Sequence, residues 1–124
     1  MHLPSELEAI TVIPALRAML ARELITKSRM KQSEVASLLG ITQSAVSNYM
    51  TGIRARNNPY ADSPAIRHRI SLLVKALDSS RDARTVVEGL ASITEYIRRN
   101  RLMCEVHRVL DPGLDIDTCH ICDY

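Results

Sequence analysis

Apolar residues along this chain recur at helical rather than strand spacing. Ile13, Leu16, Leu20 and Leu24 form a stripe down one face of a helix. The segment before them opens with Pro4 and Ser5, and Ser5 is the expected N-cap. Glu6 and Glu8 follow in the first turn, where carboxylates meet the positive end of the helix dipole. Pro14 interrupts the stripe. It lacks the N–H of a mid-helix bond, so a kink or a restart is expected there.

A short amphipathic stretch from Gln32 to Leu39 stops at Gly40. Thr42 can then N-cap a second stretch, Gln43 to Met50, which Gly52 closes. Residues 53–63, IRARNNPYADS, read as a polar loop. Ser63-Pro64 is a cap followed by proline at the first helical position, and Ile66, Ile70, Leu73 and Leu77 mark one face of the helix it opens. The chain breaks at residues 78–83. A further helix, with Val86, Leu90, Ile93 and Ile97 aligned, runs to about Asn100. RRNR (98–101) is expected as a solvated basic joint and a short helix over Leu102 to Leu110. Asp111-Pro112-Gly113 makes a turn, and no periodic pattern follows it.

Composition agrees with a helical reading. The chain has no Trp, no Phe and four Tyr, yet 46% of its residues are apolar, so its core is aliphatic. The expected fold is an all-α helix-turn-helix bundle with additional C-terminal dimerisation helices and a cysteine-containing tail. The divisions are 1–62 for the N-terminal helix and helix-turn-helix, 63–110 for the dimerisation helices, and 111–124 for the acidic tail. No apolar run reaches the roughly 18 residues a membrane span needs, and the N-terminus has no signal-peptide pattern. A soluble cytoplasmic protein is therefore expected, with no membrane partner.

Two short helices around a tight glycine turn make a helix-turn-helix. Val35, Leu39, Ile41, Val46 and Tyr49 can share one small core, and Ala36 lets the second helix cross closely. That leaves Gln43, Ser44, Ser47 and Asn48 on the outer face. Gln and Asn pair bidentately with adenine, and Ser bonds several base edges. Gln43 and Ser44 lie at the helix N-terminus, the end that enters a major groove. Gln32 and Thr42, at the starts of the two helices, are expected near the backbone, with Gln32 on a phosphate; Arg54 and Arg56 are expected to hold flanking phosphates. Net charge is +2 overall, but the four aspartates of residues 111–124 mask a formal +6 on the first 110 residues. A basic body suits a polyanion.

KQSEVASLLGITQSAVSNYMTG resembles the helix-turn-helix of the phage-repressor (Cro/XRE-like) superfamily. Together with ELEAITVIPALRAMLARELI before it and the cysteine pair after it, it resembles a family of small archaeal transcriptional regulators. The resemblance implies a homodimer on a palindromic DNA operator. It implies nothing about residues 104–124, because ordinary members of the superfamily need no cysteine tail. A protein–protein adaptor or antitoxin module is the alternative from another class. No strand–helix–strand frame surrounds the CxxC and no nucleophile–base set appears, so an enzyme is not expected.

The three cysteines, Cys104, Cys119 and Cys122, all fall in the last 21 residues. In a chain without a secretion signal, an odd number argues for metal or thiol chemistry. Three thiolates can hold an iron–sulfur cluster with one iron left for another ligand, and a cluster so held could sense redox state and tune operator affinity. Alternatively, zinc takes a fourth ligand from His107, His120 or Asp117, and then stabilises the regulator without sensing. A metal-free CxxC switch is a third option. His2 and His68 are expected at the surface, and Met19, Met30, Met50 and Met103 as core gap-fillers.

Overall fold

A computed structural model describes residues 2–51, 58–113, 115 and 117–120. The described residues are helical with no strand, so the all-α expectation holds. The first helix, α1, covers residues 4–26 and runs through three stretches: Pro4–Leu7, a wide π turn over Glu8–Val12, and Ile13–Thr26. Then follow α2 (Gln32–Leu39), α3 (Gln43–Thr51), α4 (Pro64–Ser79), α5 (Ala83–Arg99) and α6 (Cys104–Leu110).

Ser5 is not the cap of α1. Leu3 is the extended residue before the helix and Pro4 takes the first helical position, where its missing N–H costs nothing. The Glu6 carboxylate instead reaches back to accept the Leu3 N–H at 3.0 Å. Pro14 causes a restart. The turn ahead of it is widened, with the Ile13 N–H donating to the Glu8 carbonyl, and the helix then resumes with Pro14 in its first turn. A π turn of this kind absorbs a proline without breaking the helix.

Leu7, Val12, Leu16, Leu20 and Leu24 are all buried to within 1% along α1. That stripe is central to the molecule: α1 packs against α2, α3, α4 and α5. Ser63 caps α4 by accepting the Ile66 N–H at 3.3 Å, and Asp82 caps α5 by accepting the Thr85 N–H at 2.7 Å. Ile66, Ile70, Leu73 and Leu77 on α4 are buried, as are Val86, Leu90, Ile93 and Ile97 on α5. Met30 and Met103 are buried too, and Met19 packs against the same core.

The basic joint is solvated at Arg99 and Asn100, as expected, while Arg98 and Arg101 are built into the fold. Arg98 Nε donates to Glu8 Oε1 at 2.6 Å, tying the end of α5 to α1 in a partly buried ion pair. Arg101 adopts the left-handed conformation (φ 57°), and the Leu102 N–H returns to the Ile97 carbonyl at 3.0 Å. This is a Schellman close with arginine where glycine is usual.

Candidate nucleic-acid interface

The turn between α2 and α3 is set by its backbone. Gly40 sits in the left-handed region (φ 66°), where a Cβ would strain against the backbone. The Ile41 N–H then returns to the Ala36 carbonyl at 3.0 Å and the Gly40 N–H to Ser37 at 3.4 Å, so the last carbonyls of α2 are satisfied. Thr42 Oγ1 accepts the Ala45 N–H at 3.1 Å and starts α3. Thr42 is therefore the cap of the helix, with its hydroxyl engaged there.

Val46 is fully buried and Val35, Ala36 and Leu39 are buried opposite it, while Ile41 and Tyr49 pack against the same cluster. Anchoring α3 on that side turns Gln43, Ser44 and Asn48 to solvent. Ser47 is half-buried, and its carbonyl accepts the Thr51 hydroxyl at 3.0 Å. Three of the four expected base-reading side chains are thus exposed, and the fourth is half-buried. Gln32 is half-buried at the first position of α2. The Glu34 carboxylate accepts the Lys31 N–H at 3.3 Å, and Arg81 Nη1 lies 3.7 Å from its other oxygen. Arg54 and Arg56 lie outside the described residues.

The chain following α3 is pinned by residues whose role the periodicity did not reveal. Asn58 Nδ2 donates to the Ala15 carbonyl at 3.0 Å while its Oδ1 accepts the Tyr60 N–H at 3.0 Å. Tyr60 is 2% exposed and its hydroxyl lies 3.3 Å from Thr11 Oγ1. Since Thr11 already donates to the Leu7 carbonyl at 2.6 Å, the phenol donates to Thr11. Burial pushes the Tyr60 phenol pKa up. The one available signal was a lone aromatic in a polar loop of an aromatic-poor chain.

At the other end of the molecule, Cys104 begins α6 and is half-buried, as is Cys119. Arg101 links them: its carbonyl accepts the Cys104 N–H at 3.3 Å, and its guanidinium donates to the Cys119 carbonyl at 2.8 Å and meets His120 Nδ1 at 3.0 Å. Asp117 is exposed and its N–H donates to Asp115 Oδ1 at 3.1 Å. Cys122 lies outside the described residues. Among the described residues no three His, Cys, Asp or Glu side chains form a group that could hold a metal.

His107, one of the three residues named as a fourth zinc ligand, lies in the core beside Asp111. It is 3% exposed, and its Nε2 lies 2.7 Å from Asp111 Oδ2. His2, expected as a bare surface residue, joins the same carboxylate: its backbone N–H donates to Asp111 Oδ2 at 2.9 Å and its Nδ1 lies 3.2 Å from both oxygens. The His2 N–H bond above all, with the two imidazoles adding to it, holds the Asp111 pKa down at about 2. His68 is exposed as expected. No family model, curated protein or solved structure matches this chain, so the case for its function is carried by its own residues.

Proposed function

We propose that the chain is a sequence-specific DNA-binding transcriptional regulator that acts as a homodimer. The observation that carries this reading is the outer face of α3. A helix held by buried Val46, capped by Thr42 and entered through a left-handed glycine presents Gln43, Ser44 and Asn48 together to solvent. In this reading the N-terminal end of α3 enters a major groove. Gln43 and Asn48 read adenine edges, Ser44 and Ser47 support them, and Arg54 and Arg56 hold the flanking phosphates.

Selection from a random-sequence duplex library tests it. An enriched sequence is expected, and Gln43→Ala and Asn48→Ala should each weaken binding to it by about 1–3 kcal/mol, the worth of one bidentate base contact. Both side chains are exposed, so the melting temperature should hold. No enriched sequence, or both variants binding it as tightly as the wild-type chain, would overturn the reading.

The same proposal gives the cysteine tail a tuning role. Arg101 supports it by holding the Cys119 backbone to the residue that also bonds Cys104, and by setting a positive charge beside a thiol-bearing tail. Cys104, Cys119 and Cys122 would hold an iron–sulfur cluster, with His120 or Asp117 on the same tail for the open position. When bound, the cluster supplies one-electron redox chemistry. Anaerobically purified protein should be brown with charge-transfer bands; a colourless protein that yields zinc rejects the cluster. Cys119→Ser with operator affinity unchanged in oxidising and reducing buffer rejects the tuning.

A further inference from the structure

The outer face shared by α4 and α5 carries a groove beside an exposed leucine. The two helices run antiparallel and approach closely, because Gly89 lies against Leu73: a Cβ at Gly89 would fall 2.3 Å from Leu73 Cδ1. One turn and more along, the Arg69 guanidinium stacks 3.7 Å above the Tyr96 ring and links the two helices again. Between these two contacts lies a groove of about 240 Å³, floored by Leu73, Gly89, Ser92 and Ile93. Leu72 borders it and is 50% exposed, an aliphatic knob beside an aliphatic hollow on one surface.

The two edges of the face carry different polar groups. On the α4 edge, beyond Leu72, stand His68 and Lys75, both exposed. On the α5 edge, beyond Ser92, stand Glu88 and Glu95, also exposed. Each pair is seven residues apart, two helical turns or about 10 Å. The Leu73–Gly89 and Arg69–Tyr96 contacts set the levels, so Lys75 lies near the height of Glu88 and His68 near that of Glu95.

We infer that this face is the homodimer interface, with the two-fold axis parallel to α4 and α5. Rotation about such an axis brings the α4 edge of one protomer onto the α5 edge of the other at the same height. Lys75 then meets Glu88 of the partner subunit, His68 meets Glu95 of the partner subunit, and each Leu72 enters the other's groove. An isologous contact requires this self-complementarity: knob and hollow on one patch, and the Lys75 ammonium at the height of a carboxylate. Glu88 and Glu95 already pair with Arg84 and Arg99 on their own helix, at 2.8 and 2.7 Å. Those are exposed pairs and contribute little, so they yield readily to a less solvated partner. The inference rests on the dimer in the reading above, and it commits that dimer to one face.

Sedimentation equilibrium of the full chain without DNA tests it, so its outcome is separate from base reading. The wild-type chain should be a dimer of the 13.9 kDa protomer. Leu72→Glu should weaken association by about tenfold or more with far-UV circular dichroism unchanged. Lys75→Glu should weaken it too, and adding Glu88→Lys should restore it. A monomeric wild-type chain, or a Leu72→Glu protein that dimerises as tightly as wild type, overturns the assignment. A monomer that still selects a DNA sequence would sink this face and spare the reading of α3; a dimer that selects none would do the reverse.

Discussion

At the scale of single residues, the helix-turn-helix depends on backbone conformations that side chains only permit. Gly40 has open space around its Cβ position, so steric crowding by neighbours is not the reason for glycine. The reason is φ 66°, which an L-residue adopts at a cost. Gly40→Ala should therefore destabilise the chain by about 1–2 kcal/mol, read as a shift of the urea midpoint at constant slope. Thr42 was legible as a cap because a hydroxyl before an amphipathic run has few other uses. Ser5 was misread by the same rule, since Pro4 already takes the first helical position and Glu6 supplies the returning acceptor. A local rule names the residue types that can cap, and the neighbours decide which one does.

At the scale of elements, apolar spacing and stop signals predicted α2 to α5 to within about two residues of their ends; α2, α4 and α5 each bury a stripe, and α3 is anchored by Val46. What it could not give was the connections. RRNR read as solvated because four polar residues have no period. In the fold Arg98 reaches Glu8, ninety residues earlier in the chain, and Arg101 turns the backbone and grips the tail. Arg101 thus holds two roles with opposite preferences: its left-handed backbone favours glycine, while its guanidinium holds the Cys119 carbonyl. Arg101→Gly should leave the α5–α6 turn intact or firmer, by up to about 1 kcal/mol in overall stability. Amide hydrogen exchange at Thr118, Cys119 and His120 should nevertheless speed up as the tail is released. Unchanged exchange there would show that the guanidinium does not hold the tail.

At the scale of the whole molecule, the His2–Asp111–His107 cluster ties the start of α1 to the end of α6 across 109 residues of sequence. Asp111 is held at about 2 against an ordinary 3.8. A depressed carboxylate stabilises the fold fully above its unfolded value and loses that contribution as pH falls through the folded one. The wild-type chain should lose stability between pH 3.8 and about 2, and Asp111→Asn should lose less over the same window. Parallel melting-temperature curves for the two proteins would refute the cluster as a clasp. His107 lies one helical turn from Cys104, which makes it a candidate metal ligand by spacing; its burial beside Asp111 is visible only in the fold.

The amino-acid order by itself determined the helical class, most helix limits, the glycine turn, the Thr42 cap and the polar outer face of α3. All of these follow from spacing within a few residues, which a chain carries before it folds. Tertiary structure alone decided which polar residues are spent inside the fold: Glu8 on Arg98, Asn58 on α1, Asp111 on two histidines, Arg101 on the tail. It also decided that Leu72 and Gly89 border one groove, with Lys75 and Glu88 exposed on the two helices that form it. Those are pairings between segments far apart in sequence, and their partners are chosen by how the aliphatic faces of α1, α4 and α5 pack.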